Sequence, residues 1–139
     1  MPYRLSPAGV FTMKKDDITA RLADFPFSTD DYWIITGAAM VLNGIREETS
    51  DIDMGCSKEM ADKLEADGFL DHVSVDGKRC FKYGDSIEII EGWLRDSIQN
   101  VGGFPVISID GLVEMKRELG REKDKRDLEL IEAFLKRKN

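Results

Sequence analysis

The sequence predicts an α/β (α+β) fold: a small mixed β-sheet flanked by helices, with a helical pair closing the chain. Three observations carry this. Short apolar runs bounded by turn residues recur through the first two-thirds of the chain, as strands do. Apolar residues at helical spacing lie between them. Two such helical stripes follow one another after residue 110. Strands and helices are thus mixed, and helices packed on a sheet satisfy both patterns.

The elements follow in order. Thr12 to Phe25 reads as a first helix, with Ile18, Leu22 and Phe25 on one face and Pro26 as its stop. Tyr32 to Thr36 reads as a buried strand, and Ala38 to Asn43 as a brief helix ended by Gly44. Asp51 to Gly55 is a second strand that starts at its own carboxylates. Ser57 is a good N-cap for a helix ending at Gly68, with Met60 and Leu64 inward. Val73 to Phe81 forms a hairpin, because Asp76-Gly77 suits a two-residue turn. Gly84-Asp85 turns the chain into a strand over Ser86 to Glu91, and Val106 to Ile109 is a further short strand. Leu112, Met115 and Leu119 make the first late stripe, stopped by Gly120. Leu128, Ile131 and Leu135, with Leu130 and Phe134 beside them, make the second.

The 139 residues suit one domain, 1–139, with 42% hydrophobic, 34% charged and 9% aromatic residues. No apolar run approaches membrane-spanning length, so no membrane partner is expected. The N-terminus lacks the apolar core of a signal peptide, and a cytoplasmic location is the expectation. A net charge of −7 argues against broad, sequence-independent nucleic-acid binding. Cys56 and Cys80 lack metal-site spacing and read as buried or half-buried thiols on strands; the one histidine, His72, reads as a surface residue near a strand start.

The chemistry concentrates between Ile34 and Met54. A strand runs into the small-residue turn Gly37-Ala38-Ala39, a short helix follows, and then come Asp51 and Asp53 with one apolar residue between them. Residues two apart on a strand share a face, so the two carboxylates project side by side and repel. A hard cation held by oxygen ligands, such as Mg²⁺, is the usual partner of such a pair; an exposed acidic pair at a strand start is the plain alternative. A glycine turn allows close approach to the backbone, and a helix start offers N–H groups to phosphate oxygens.

These residues resemble the nucleotidyltransferase superfamily that includes DNA polymerase β, and within it the minimal single-domain members. The family pattern is an apolar residue, Gly, then Gly or Ser, a spacer, Asp-apolar-Asp/Glu, and a third acid on a later strand. Ile35-Thr36-Gly37-Ala38 stands at the first element, Asp51-Ile52-Asp53 at the second and Glu88 at the third. The wording Gly44 to Asp53, and Gly120 to Leu128 with its Lys-Asp-x-x-Asp-Leu helix start, is similar to the subgroup of antibiotic-modifying transferases and abortive-infection toxins. The resemblance implies a nucleotidyltransferase fold and metal-dependent transfer of a nucleotidyl group from a nucleoside triphosphate to a hydroxyl. It implies Mg²⁺ (or Mn²⁺) on Asp51, Asp53 and Glu88, with Gly37 and Ala38 against the phosphates. Known acceptors are small molecules, tRNA ends or protein side chains, and small members often work with a second copy or an antitoxin-like partner. Two departures stand out: Ala38 replaces Gly or Ser, and Glu88 replaces the more frequent Asp. They leave open a module that binds a nucleotide or a partner without turnover.

Other residues carry two readings each. Thr49 and Ser50 contact phosphate or form a turn; Arg46 holds a triphosphate bidentately or is a surface arginine. Glu88 is a ligand or a solvated edge residue. Lys116, Arg121, Lys123 and Lys125 read as a solvated helical face unless one meets phosphate. Trp33 and Trp93 read as core, and Asp124 and Asp127 as helix-start acids favoured by the dipole.

Overall fold

The structure, a computed structural model, describes residues 4–5, 11–93 and 97–138. The N-terminal stretch inspected for targeting signals lies mostly outside them. Ten strands and five helices occur among the described residues: β1 (Arg4–Leu5), β2 (Phe11–Lys14), α1 (Lys15–Ala23), β3 (Tyr32–Ile35), α2 (Thr36–Leu42), β4 (Glu48–Thr49), β5 (Ile52–Cys56), α3 (Lys58–Ala66), β6 (Leu70–Val73), β7 (Arg79–Tyr83), β8 (Ile87–Glu91), β9 (Ile98–Val101), β10 (Phe104–Ile107), α4 (Ile109–Leu119) and α5 (Glu122–Lys138). The fold is α+β. A seven-stranded mixed sheet has the order β6-β7-β8-β5-β3-β10-β9, and a three-stranded sheet joins β1, β2 and β4. Among the described residues no helix is long and apolar enough to cross a membrane.

The sheet is built outward from β3. Its four residues, Tyr-Trp-Ile-Ile, are all buried, as an unbroken apolar run predicts for a strand covered on both faces. It pairs antiparallel with β5 and parallel with β10, and β5 pairs parallel with β8. Register then sets two kinds of row across the sheet. Ile34, Met54, Ile89 and Phe81 form an apolar row in the core. One residue along, Ile35, Asp53, Glu88 and Lys82 form the next row, on the opposite face. A one-residue slip would exchange these rows and bury the carboxylates.

Three elements differ from expectation. The predicted first helix is two elements: Phe11–Lys14 is strand, because Met13 and Lys14 pair with Thr49 and Glu48 of β4, and the helix begins only at Lys15. A distant pairing has overridden a weak local helix pattern. The hairpin has a five-residue loop, 74–78, closed by Ser74 N–H to Lys78 O and Gly77 N–H to Ser74 O, so Asp76-Gly77 is one corner of a wider turn. The last strand is Phe104–Ile107, and Ile109 already opens α4, since the Ser108 hydroxyl accepts from Gly111 N–H and caps the helix there. The second short strand of that hairpin, β9, was not anticipated. Ser57 caps α3 as expected, accepting from Met60 N–H at 3.2 Å.

The two cysteines and His72 stand where the sequence placed them. Cys56 and Cys80 are buried on β5 and β7, and His72 is exposed on β6. Burial, with Glu91 nearby, pushes the Cys56 thiol up to about 12, so it is an inert core residue.

Candidate active site

The candidate site starts where β3 ends. At Thr36 the chain leaves the sheet into α2 with φ at +53°, a left-handed conformation that a β-branched residue rarely adopts. Ile35 is the register partner of Asp53, so this sharp exit sets Thr36 beside the Asp53 carboxylate. The Thr36 hydroxyl donates to Asp53 Oδ2 at 2.6 Å. The left-handed residue is therefore Thr36, whereas Gly37 is needed for space: a Cβ there would lie 2.6 Å from Thr49 Oγ1 and 3.4 Å from an Arg46 nitrogen. Thr49 is itself buried. Gly37→Ala is expected to lower stability by about 1–3 kcal/mol through overpacking, read as a lower denaturation midpoint with an unchanged denaturant slope.

A cavity of about 440 Å³ opens over this junction, lined by Thr36, Gly37, Arg46, Thr49, Ser50, Asp51, Asp53 and Glu88. Seven of the eight residues singled out from the sequence thus meet in one place. The eighth, Ala38, is wholly buried and does not line the cavity. Lys116, Arg121, Lys123, Arg126 and Asp127 from the C-terminal helices complete the lining, together with Ile90 and Trp93. The sequence reading treated most of these cations as a solvated face and did not single out Arg126. Helical periodicity alone does not say which turn of α5 lies over the sheet.

Lys116 departs furthest from expectation. It is buried, with its ammonium 2.8 Å from Asp127 and 3.6 Å from Asp124. Asp124, fully buried at the start of α5, also accepts from Arg121 through both its backbone N–H and its guanidinium. Arg121 holds the Asp124 carboxyl down at about 2. Asp127 reaches Arg46 at 4.0 Å, which ties this network to the cleft. The two acids are therefore partners of buried and cleft cations as well as helix-start residues.

The carboxylates perturb one another. Burial raises the pKa of Asp53; the Thr36 hydrogen bond opposes that shift and the charge of Asp51 adds to it. Glu88, directly opposite Asp53 in register, is raised by partial loss of hydration and by the charges of Asp53 and Asp51. Glu88 keeps solvent access, so its loss of hydration is incomplete. Lys82, next in the row, works in the other direction. An oxygen donor set under mutual repulsion fits a hard divalent cation chemically. The side chains as they stand are not gathered to ligand distance: among the described residues no group of three His, Cys, Asp or Glu is arranged to hold a metal ion. Asp51 instead accepts from the Ser50 hydroxyl at 3.4 Å.

Trp33 and Trp93 behave differently from each other. Trp33 is buried, and its indole N–H donates to Trp93 O at 2.9 Å. Gly55 makes room for this, since a Cβ there would sit 2.2 Å from Trp33 Nε1. Trp93 is half-buried and forms part of the cavity wall. A shallower groove of about 140 Å³, reaching Asp71, His72, Cys80 and Lys82, continues from the cavity and shares Glu88 and Ile90 with it.

The fold and the cleft define an α+β protein with a polar pocket, acidic on the sheet side and basic on the helix side. No protein-family model, curated protein or solved structure matches the chain.

Proposed function

We propose that the protein transfers a nucleotidyl group from a nucleoside triphosphate to a hydroxyl acceptor, with Mg²⁺ as cofactor. One observation supports this above the rest: Asp51, Asp53 and Glu88 share a cavity with Gly37, Arg46, Thr49, Ser50 and three further cations, Arg121, Lys123 and Arg126. Acids alone would suit a cation and bases alone an anion. A triphosphate carried with a divalent ion needs both in one cavity.

Asp51, Asp53 and Glu88 would hold the ion, Asp51 turning inward from its Ser50 contact while Asp53 keeps its Thr36 hydrogen bond. When bound, the metal neutralises triphosphate oxygens and lowers the pKa of an attacking hydroxyl. Arg46, Arg121, Lys123 and Arg126 face the phosphates and balance their charge. In the reaction an acceptor oxygen bonds to the α-phosphorus, the bond from that phosphorus to the β-phosphate oxygen breaks, and pyrophosphate leaves with the electron pair. Glu88 takes the hydroxyl proton; a pKa above the usual carboxylate range suits it to that task. The acceptor enters along the groove beyond Glu88 and Ile90, whose lining carries none of the helix cations. Most of the rate comes from positioning and charge neutralisation.

Incubation with α-labelled nucleoside triphosphates, Mg²⁺ and panels of small-molecule, tRNA and protein acceptors tests the proposal. Label should pass to one acceptor class and depend on the divalent ion. Absence of transfer to any class, with or without Mn²⁺ in place of Mg²⁺, counts against catalysis.

A second reading, a module that binds a nucleotide or a partner without turnover, is favoured by the contact of Asp51 with Ser50 and by the absence, among the described residues, of three acids gathered to ligand distance. Calorimetry with Mg²⁺ and a non-hydrolysable triphosphate separates the two. Binding without transfer supports the second reading.

A further inference from the structure

We infer that Thr36 is a positioning residue for Asp53, and that the strained left-handed backbone at position 36 is retained because it delivers the hydroxyl to that carboxylate. The inference concerns the Asp53 side chain and rests on the transferase reading only for the purpose that positioning serves.

Three features of the junction converge. Among the described residues only Thr36 and Ser97 take positive φ without being glycine, and Thr36 alone of the two is β-branched. Glycine would adopt this backbone without cost, and asparagine with little. Neither carries a hydroxyl at Cβ. The Thr36 hydroxyl uses its proton on Asp53 Oδ2 at 2.6 Å, the short range of a bond from a neutral donor to a carboxylate.

The surroundings hold Thr36 from both sides. Ile35, immediately before it, is fully buried and in register with Asp53. Gly37, immediately after it, is packed under Thr49 with no room for a Cβ. Thr36 cannot relax by moving along the sheet or by swinging away from β4. Strain persists where the neighbourhood over-determines the backbone, and it concentrates at functional junctions.

The consequence is a fixed carboxylate. Asp53 is only partly buried, and the charge of Asp51 repels it. Without a donor on Oδ2, that repulsion would let the side chain rotate among χ1 wells. With the hydroxyl in place, Oδ2 is anchored.

Four proteins test this: wild type, Thr36→Ser, Thr36→Val and Thr36→Gly. Mn²⁺ affinity is read by electron paramagnetic resonance, and the Asp53 χ1 by side-chain J-couplings. Thr36→Val, which keeps the shape and loses the hydroxyl, should weaken Mn²⁺ about tenfold, the scale of losing an outer-shell hydrogen bond to a ligand. Its Asp53 couplings should be averaged. Thr36→Ser should restore both properties to nearly the wild-type values. Thr36→Gly should weaken Mn²⁺ as valine does while raising the melting temperature, since the strain is released. Equal couplings in wild type and Thr36→Val, or failure of serine to rescue, overturns the inference. If wild type binds no Mn²⁺ in the millimolar range, the metal-dependent transferase reading fails by itself. The couplings and the melting temperature of Thr36→Gly then still decide the role of Thr36.

Discussion

Asp53→Asn is expected to abolish nucleotidyl transfer and, without divalent ions, to melt at a higher temperature than the wild type. The two effects have one cause. Asp53 sits partly buried in a row with Glu88 and close to Asp51, and its pKa is raised by burial and by the charge of Asp51. A raised carboxylate pKa means that the folded state holds a proton that the unfolded chain has released. Between the ordinary carboxylate value, about 4, and the higher folded value, stability therefore falls as pH rises; above that window the cost is fully present. Asparagine removes the charge and keeps an oxygen for the Thr36 hydroxyl, so repulsion from Asp51 and Glu88 disappears. Under the proposed function the same change removes a metal ligand and should lower the transfer rate at least about a hundredfold. Melting curves from pH 4 to 8, with and without Mg²⁺, check it. Mg²⁺ should stabilise the wild type increasingly as pH rises and leave the variant unmoved. A variant that melts lower than the wild type in metal-free buffer at pH 7 would show that the carboxylates do not repel as described.

Lys116→Ala is expected to be the most damaging change to the fold, costing about 3–5 kcal/mol, the range for breaking a buried ion pair by removing one partner. The side chain of Lys116 is 5% exposed and those of Asp124 and Asp127 are 0% and 14% exposed, so the ammonium is removed from carboxylates that have little other solvation. Among the described residues, Asp127 would keep Arg46 at 4.0 Å as its ion-pair partner, and Asp124 would keep Arg121. Because these acids anchor the start of α5, helix docking should loosen first, read as fast amide exchange in Glu122–Lys138 before the sheet exchanges. Lys116→Met, which keeps the stem, should cost less than alanine and still release α5. The wild-type network has its own pH signature. The Asp124 carboxyl lies at about 2, below its unfolded value, so its stabilisation is fully present above about pH 4 and is lost as pH falls toward 2. Unchanged exchange of α5 in the alanine variant would show that Ile131 and its apolar neighbours hold the helix without the charges.

Much of this molecule was legible because its signals are local. The unbroken apolar run Tyr32–Ile35, the Ser57 cap, the Gly120 stop and the two late stripes each follow from spacing and capping chemistry within one turn or one strand. So does the Asp51-Ile52-Asp53 alternation, which named the acids. Parallel pairing was needed to bring Glu88 opposite Asp53, and that pairing joins segments 35 residues apart. The strand at Phe11–Lys14 was hidden for a related reason: its partner, Glu48–Thr49, is too short to announce itself.

The sequence by itself determined the α+β class and the acid pair, since each depends on neighbours in the chain, whereas Gly37-Ala38-Ala39, read as a turn, lies within α2. Only the tertiary structure decided that Gly37 is a matter of space and Thr36 of strain, that Ala38 faces inward, and that Lys116 is a buried cation. That cations from α4 and α5 line the same cavity as the carboxylates was likewise decided there, because a helix's periodicity gives its faces but not what each of them meets. Contacts between segments far apart in the chain settle such questions, and no local pattern encodes them.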